Sequence, residues 1–499
     1  MKPGSFRQDA ADRRLLLPVY LLSVLFLALF VPFDLGVNVP IFIISIYIAA
    51  FSYQKHSGTR IDRGSTTLLL IVTVASLPFV LYDSSPFRVL HFLILMGAVF
   101  FQLFTMYSCR AYPRLSDGMV FDLGNAVFCA PVRNLDAFWR VMNHRHGHGR
   151  YRTVLLILCG IAIALPLLIL LSFQFSSADT VYAFLSHQFR TPIVRAIGLI
   201  LLGLLAALPL ATVLYAVFYG YRYRRGINGL KKPKEWKLHV LPAETVLGAL
   251  IPVCILQILY LILQMVYFVS TLSGYLPTDF TYAQYARQGF LELCGVALLN
   301  ILLIGIAMSF TKYRKPRQEH FVRWIVVLLS VCALAMIGVA LAKMFLYMQS
   351  FGLTTNRIIT SWFMLGLILV FICTIVRCFR PQFKLVRTVT VAALVMFLML
   401  CFADCDYLAV SYNRTAFLDG QLQGFDLEML QDASDSVIPL VIEVYENAEG
   451  ALREDAANLL RHYAEKTHQP LLSWRSFNIS GYQARETFLL WQQESGFER

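Results

Sequence analysis

Eleven apolar blocks constrain this chain more than any other feature. They run Leu15–Val31, Val37–Tyr53, Thr66–Tyr82, Phe87–Tyr107, Val154–Phe175, Val194–Tyr219, Thr245–Ser270, Gln288–Phe310, Phe321–Tyr347, Ile358–Ile375 and Val386–Ala403. A helix needs roughly 17–25 apolar residues to cross a bilayer. The shorter blocks can be completed by flanking residues and by Lys or Arg side chains that reach the headgroups. The chain is 58% hydrophobic and 15% charged, whereas soluble domains are about a quarter charged. The expected fold class is all-α: a polytopic helical membrane bundle of about eleven spans in residues 1–403. A small C-terminal α-helical domain is expected in residues 404–499.

Loop charge supports this count. The net charge of +13 does not point to nucleic acid, because the basic residues sit in short loops between apolar blocks. With the N-terminus inside, the inner segments carry clusters such as Lys55, Arg60 and Arg63, or Arg222, Arg224, Arg225, Lys231 and Lys232. The alternate loops, Phe33–Gly36, Asp83–Pro86, Ser176–Pro192, Leu272–Tyr285 and Gln349–Asn356, contain only Arg190. This is the positive-inside pattern, and one span more or fewer would break it. Arg13 and Arg14 precede the first block with no small-residue cleavage site after it, which reads as a retained signal anchor. The expected location is a bacterial inner (plasma) membrane, multi-pass, with the N-terminus cytoplasmic and the C-terminus extracytoplasmic.

Three segments outside the spans have helical patterns. In the outer Ser176–Pro192 loop, Ser177 or Asp179 is placed to cap a short amphipathic helix with Val181, Tyr182, Phe184 and Leu185 on one side. In the Cys109–Tyr151 loop, Val120-Phe121, Leu123, Val127-Phe128, Val132, Leu135 and Phe138-Trp139 recur at roughly helical spacing, as in a segment lying on the inner membrane surface. Its His144, His146 and His148 alternate with other residues, a spacing that does not converge on a metal. Beyond Ala403 the composition turns acidic, with sixteen Asp or Glu against seven Lys or Arg. A short Asp426–Gln431 segment, Ser436–Asn447, Ala451–Lys466 and Gly481–Gln493 read there as amphipathic helices. The ten cysteines show neither a CxxC pair nor zinc-finger spacing with histidine.

The polar residues near the outer ends of the late spans form the candidate cluster. Arg287 and Glu292 begin the eighth span, with Asn300 deeper in it. Lys343 lies near the end of the ninth, and Asn356 and Arg357 begin the tenth. A charge inside a bilayer needs a partner or water, and Lys343 is the first candidate for Glu292. One reading is an ion pair that locks helices together; the other is a polar cavity open outward to a ligand. Asn300, Gln257 and Gln264 have interhelical hydrogen bonds as their default role.

Five stretches together resemble the bacterial domain-of-unknown-function family 4173, whose members are polytopic proteins with a C-terminal tail. They are DLGVNVPIF at Asp34–Phe42, FSSADTVYAF at Phe175–Phe184, YAQYARQGFLELCGVALLN at Tyr282–Asn300, FLYMQSFGLTTNRIIT at Phe345–Thr360, and the tail from Tyr412-Asn413-Arg414 through Ser473–Ser480. At the start of the tail this sequence has Cys405-Asp406 where that family favours Asn-Pro. The resemblance implies an architecture and no activity.

No P-loop, GxSxG, HExxH, dinucleotide-binding or kinase motif is present, and no cofactor is implied. Asp404-Cys405-Asp406 spells DxD. A bundle followed by an outer domain is superficially similar to membrane glycosyltransferases that use polyprenyl-linked sugars. Those enzymes place acidic residues in a long first outer loop, where this chain has only Asp34. Helix capping is the competing role for the DxD. The leading expectation is a non-enzymatic envelope scaffold, sensor or accessory protein. Its acidic tail would contact an extracytoplasmic protein partner through Trp474, Phe477 and Trp491 if these are exposed. A transporter or lipid-handling protein is the second reading, and a polyprenyl-sugar-type transferase the third.

Overall fold

A computed structural model describes residues 9–31, 34–57, 63–83, 87–112, 118–143, 192–227, 240–272, 290–422, 433–467 and 474–497, with a few isolated positions between them. The expected fifth span, residues 176–191 of the following outer loop, His144–His148 and Arg287 lie outside the described residues, apart from scattered positions of that span.

The first half of the bundle comprises α1 (Ala10–Phe30), α2 (Asn38–Ser57), α3 (Arg63–Ser76), α4 (Pro78–Leu81), α5 (Arg88–Met106) and later α9 (Pro192–Tyr223). Between α5 and α9 come the short helices α6 (Met119–Gly124), α7 (Ala130–Arg133) and α8 (Asp136–Asn143), with a π turn at Asn125–Cys129. α1 starts at a capping box: Asp9 accepts from the Asp12 amide at 3.0 Å, and Asp12 accepts from the Asp9 amide at 2.7 Å. The two carboxylates satisfy donors that the first helical turn leaves free. The third expected span is broken at Pro78, which begins α4 and cannot donate a backbone hydrogen bond. These helices share one hydrophobic core, which includes Phe30, Phe104, Phe138 and Tyr215.

The expected loop helix is real in part. Ala126, Ala130, Ala137 and Phe138 are buried in that core, while Phe121, Phe128, Val132, Leu135 and Trp139 face outward.

The second half comprises α10 (Ala243–Leu272), α11 (Phe290–Phe310), α12 (Pro316–Phe351) and α13 (Thr355–Phe379), around a separate core with Leu329, Ala333 and Phe371. A two-residue parallel β pair, Leu241–Pro242 with Thr311–Lys312, ties the start of α10 to the end of α11. α12 has 36 residues, about 54 Å of helix, so it extends past a hydrocarbon core of about 30 Å.

α14 (Leu385–Phe402) joins the halves. The Trp362 indole of α13 donates to its Met396 carbonyl at 2.9 Å, and its Phe397 ring packs on His91 of α5 with centroids 5.8 Å apart.

Seven of the described helices are long and apolar enough to cross a membrane: α1, α5, α9, α10, α12, α13 and α14. α3 with α4, and the described part of α11, are shorter apolar helices.

The C-terminal residues form α15 (Cys405–Leu418), α16 (Ile438–Asn447), α17 (Ala451–Thr467) and α18 (Ile479–Ser495), with 3₁₀ turns at Asp435–Val437 and Trp474–Ser476. Three of the four expected helices are present, the short Asp426–Gln431 segment lies outside the described residues apart from Leu427, and α15 is one the sequence pattern missed. Val410, Val441, Leu460 and Phe488 close a third hydrophobic core among them.

These helices seat on both halves of the bundle at one face. On the first half, the Val37 amide donates to the Phe477 carbonyl at 3.1 Å, and Arg475 Nη1 donates to the Val31 carbonyl at 2.9 Å. Asn478 Nδ2 donates to Asp83 at 3.1 Å, and the Asp83 amide donates to Ser480 Oγ at 3.0 Å. On the second half, Asn413 accepts from the Leu353 amide at 2.6 Å and donates to the Leu353 carbonyl at 2.8 Å. Two glycines permit this approach. A Cβ at Gly36 would lie 2.6 Å from the Ser476 carbonyl carbon. One at Gly352, which has φ +73°, would lie 2.6 Å from Asn413 Oδ1.

A Gly36→Ala substitution is therefore expected to cost the docking about 1–3 kcal/mol. Hydrogen exchange should then quicken across residues 474–480 and leave α16 and α17 unchanged. Unaltered exchange at 474–480 would contradict the close approach.

Candidate functional site

Two polar pairs are built into the seam between α10, α11 and α12. Gln257 Nε2 donates to Asn300 Oδ1 at 2.6 Å, and Asn300 Nδ2 donates to Gln257 Oε1 at 3.2 Å. Asn300 is 0% exposed, and an unpaired amide there would cost a few kcal/mol. Two turns along α10, Gln264 donates to the Tyr260 hydroxyl at 2.8 Å and accepts from Lys343 Nζ at 2.9 Å. Gln257, Tyr260 and Gln264 recur at i, i+3 and i+7, so they share one face of α10. Lys343, only 8% exposed, reaches that face from α12. It lies eight residues before Phe351, about 12 Å from the end of that helix.

The expected cluster is only partly brought together. Asn300 and Lys343 line the same seam but belong to different pairs. Glu292 lies in the first turn of α11, and its side chain is outside the described residues. Asn356 is exposed. Arg357 turns back onto the end of α12, where it donates to the Phe351 carbonyl at 3.1 Å and to Gly352, with its guanidinium 4.1 Å from the Tyr347 ring. A cation on terminal helix carbonyls is favoured by the dipole, so Arg357 acts as a helix cap.

The DxD residues also hold helices. Asp404 caps α15 by accepting from the Tyr407 amide at 3.1 Å, and it accepts from Ser436 Oγ at 2.5 Å. Asp406 accepts from the Ser434 amide at 2.9 Å and from the Thr355 hydroxyl at the start of α13. Both carboxylates thus tie the Ser434–Ser436 turn to the end of the bundle. Burial pushes the Asp404 carboxyl above the usual carboxylate range, against the hydrogen bonds from Ser436 and Tyr407. No group of three or more metal-ligating side chains occurs among the described residues.

The most extensive polar network among the described residues is one that sequence reasoning missed. It lies at the opposite face, around Asp12, which is 0% exposed. Its carboxylate accepts from the hydroxyl of Tyr53 at 2.6 Å, from that of Tyr223 at 2.7 Å and from Arg222 Nη1 at 2.8 Å. Arg222 also donates to Asp9 at 3.0 Å, and its guanidinium lies 5.1 Å from the Tyr53 ring. The Tyr215 hydroxyl donates to the Asp12 carbonyl at 3.1 Å. A buried carboxylate with this many donors is fully compensated, so the network locks α1, α2 and α9 together. The only sequence signal was the YGYRY run at Tyr219–Tyr223, next to a loop whose charges read as topology markers.

The family model described as Domain of unknown function (DUF4153) matches residues 69–444. The chain belongs to this family. The matched family is 4153, not the number 4173 to which the quoted stretches pointed. The DUF4153 match takes in the seam, Arg222, α15 and most of α16. It leaves out α1, α2 and the residues from Trp474 onward, which dock on the loop between α1 and α2. Comparison with curated proteins and with solved structures finds no significant match. The family assignment carries no reaction and no ligand.

Two outcomes test this description. Asn300→Leu alone, which strands the Gln257 amide, is expected to lower stability by about 0.6–2 kcal/mol. Adding Gln257→Leu should recover most of that loss, because neither partner is then left unpaired. Equal and additive losses in thermal melts would rule out the pair. For Asp404, a raised folded-state pKa means stability present below the ordinary carboxyl range is lost as pH rises through the folded value. Asp404→Asn removes this dependence. Relative to wild type, the variant is expected to gain stability as pH rises above the ordinary carboxyl range through the raised folded-state value; a pH-independent difference would contradict it.

Proposed function

We propose that this DUF4153 protein is a non-enzymatic envelope scaffold or sensor of a bacterial inner membrane. In this reading, residues 1–403 form an eleven-span bundle with its N-terminus in the cytoplasm. Residues 404–499 form an extracytoplasmic helical domain that contacts a protein partner. The observation that carries the reading is the seating of the C-terminal helices on both halves of the bundle through Arg475–Ser480 and Asn413. A change in that seating would alter how the halves are held, which is what a sensor requires. The carboxylates of Asp404 and Asp406 are spent on capping and docking, which favours this role over sugar transfer.

The exposed aromatics fit a contact surface only in part. Trp474 is 61% and Phe477 42% exposed, and both lie beside the α1–α2 loop, where interfacial aromatics commonly anchor a protein at the headgroups. Trp491 packs instead against Tyr445, Phe488 and Phe497.

The seam supports a second reading, a transporter or lipid-handling protein, because Gln264, Lys343, Gln257 and Asn300 place polar groups along one interhelical path.

The reading is tested by a cytoplasm-active reporter fused at the C-terminus, together with cell-surface crosslinking of intact and tail-deleted chains. The reporter is expected to be silent, and a crosslinked partner is expected with the intact chain only. Reporter activity, or a partner that persists without the tail, overturns the reading. Lys343→Met is expected to leave tail crosslinking unchanged; loss of crosslinking would tie the seam to the partner.

A further inference from the structure

The C-terminal helices carry a cleft that none of the roles above uses. It has a volume of about 610 Å³ and is lined by Tyr445, Glu446, Arg453, Arg461, Trp491 and Phe497. Its floor is an aromatic cluster. Tyr445 meets Trp491 at 5.7 Å and Phe497 at 5.4 Å between ring centroids, and Trp491 meets Phe497 at 5.0 Å. The Trp491 indole donates to Glu446 at 2.8 Å, which fixes the ring. The chain folds back after α18 to bring Phe497 into the cluster, with its amide donating to Ser495 Oγ at 3.3 Å. These rings are too close together to admit a cation between them, so a ligand would lie across them.

The charge above this floor is unusual for its surroundings. The tail has sixteen acidic and seven basic residues, yet two of the seven, Arg453 and Arg461, line this cleft. Elsewhere in the tail, Arg414 is paired with Glu443 and Arg475 binds the Val31 carbonyl. Arg453 holds its guanidinium 5.0 Å from the Tyr445 ring, and Arg461 donates to Asn458 at 2.8 Å. The two arginines are eight residues apart on α17, about 12 Å along the helix. That spacing suits two carboxylates about three to four residues apart on an extended peptide, with an intervening apolar residue resting on the rings. Guanidinium matches carboxylate geometry and keeps its charge at any physiological pH.

We propose that this cleft binds an acidic peptide segment of an extracytoplasmic partner, with carboxylates on Arg453 and Arg461 and an apolar side chain on Trp491 and Phe497. This names the partner's chemistry and rests on the reading that the C-terminal helices face outward to a protein. The cleft lies beyond the residues matched by the family model, which end at 444.

The test uses the full-length protein in nanodiscs and a fluorescein-labelled peptide, Glu-Phe-Glu-Asp-Phe-Glu, read by anisotropy. Saturable binding that weakens with added salt is expected. Arg453→Gln with Arg461→Gln is expected to weaken it at least about ten-fold with an unchanged melting temperature. A peptide with lysine at every acidic position should not bind. Trp491→Phe, which keeps an aromatic floor, should weaken binding less than the double arginine variant does. Three results each overturn the proposal: no binding of the acidic peptide, equal binding of the lysine peptide, or unchanged affinity in the folded double variant. Any of these alongside a tail-dependent crosslink in cells would sink the cleft and leave the outward-facing tail standing.

Discussion

Hydrocarbon offers a polypeptide no hydrogen-bond partner, and most of this structure answers that one constraint. Backbone groups at membrane depth must be satisfied within the segment, which makes the apolar segments helices. Polar side chains must find one another across helices. Gln257 and Asn300 do so reciprocally, and Gln264 bridges Tyr260 and Lys343. Asp12 is the extreme case: a buried carboxylate made tolerable by two tyrosines and an arginine. The same satisfaction that lets these groups exist leaves their hydrogen bonds within the protein, which is why they read first as locks.

The second organising fact is the division of the bundle. Its first half packs around Phe30, Phe104 and Tyr215, and its second around Leu329 and Phe371. α14 and the C-terminal helices reach both. Three of the five stretches singled out in the sequence converge at this junction: Asp34–Phe42, Phe345–Thr360 and the tail, through Asn413 and Trp474–Ser480. Their contacts run largely through backbone, as at Val37–Phe477 and Leu353–Asn413. Such contacts need close approach, hence Gly36 and Gly352.

Legibility followed periodicity. The late spans were readable because each is a long apolar run, although the helices outlast the runs: Ile358–Ile375 became Thr355–Phe379, since helical hydrogen bonding continues through polar flanks. The amphipathic tail helices were readable from spacing. α15 was not, because Cys405–Leu418 has no clean apolar stripe and derives its order from Asp404, Asp406 and Asn413. Asn300 was rightly read as an interhelical bond. Lys343 meets Gln264, and the expected partnership with Glu292 falls on a side chain outside the described residues. Asp12 and Arg222 lie 210 residues apart, and nothing local in either announces the other.

The sequence by itself determined that this chain is a helical membrane-type protein, where most of its helices run, and that an acidic helical segment follows them. Those features depend on local apolar content and period, which a linear reading contains. The tertiary structure alone decided which polar groups meet. Partnership between Asp12 and Arg222, Lys343 and Gln264, or Asn413 and Leu353 depends on how distant helices pack, and burial selects among many chemically equivalent partners only after the chain is folded.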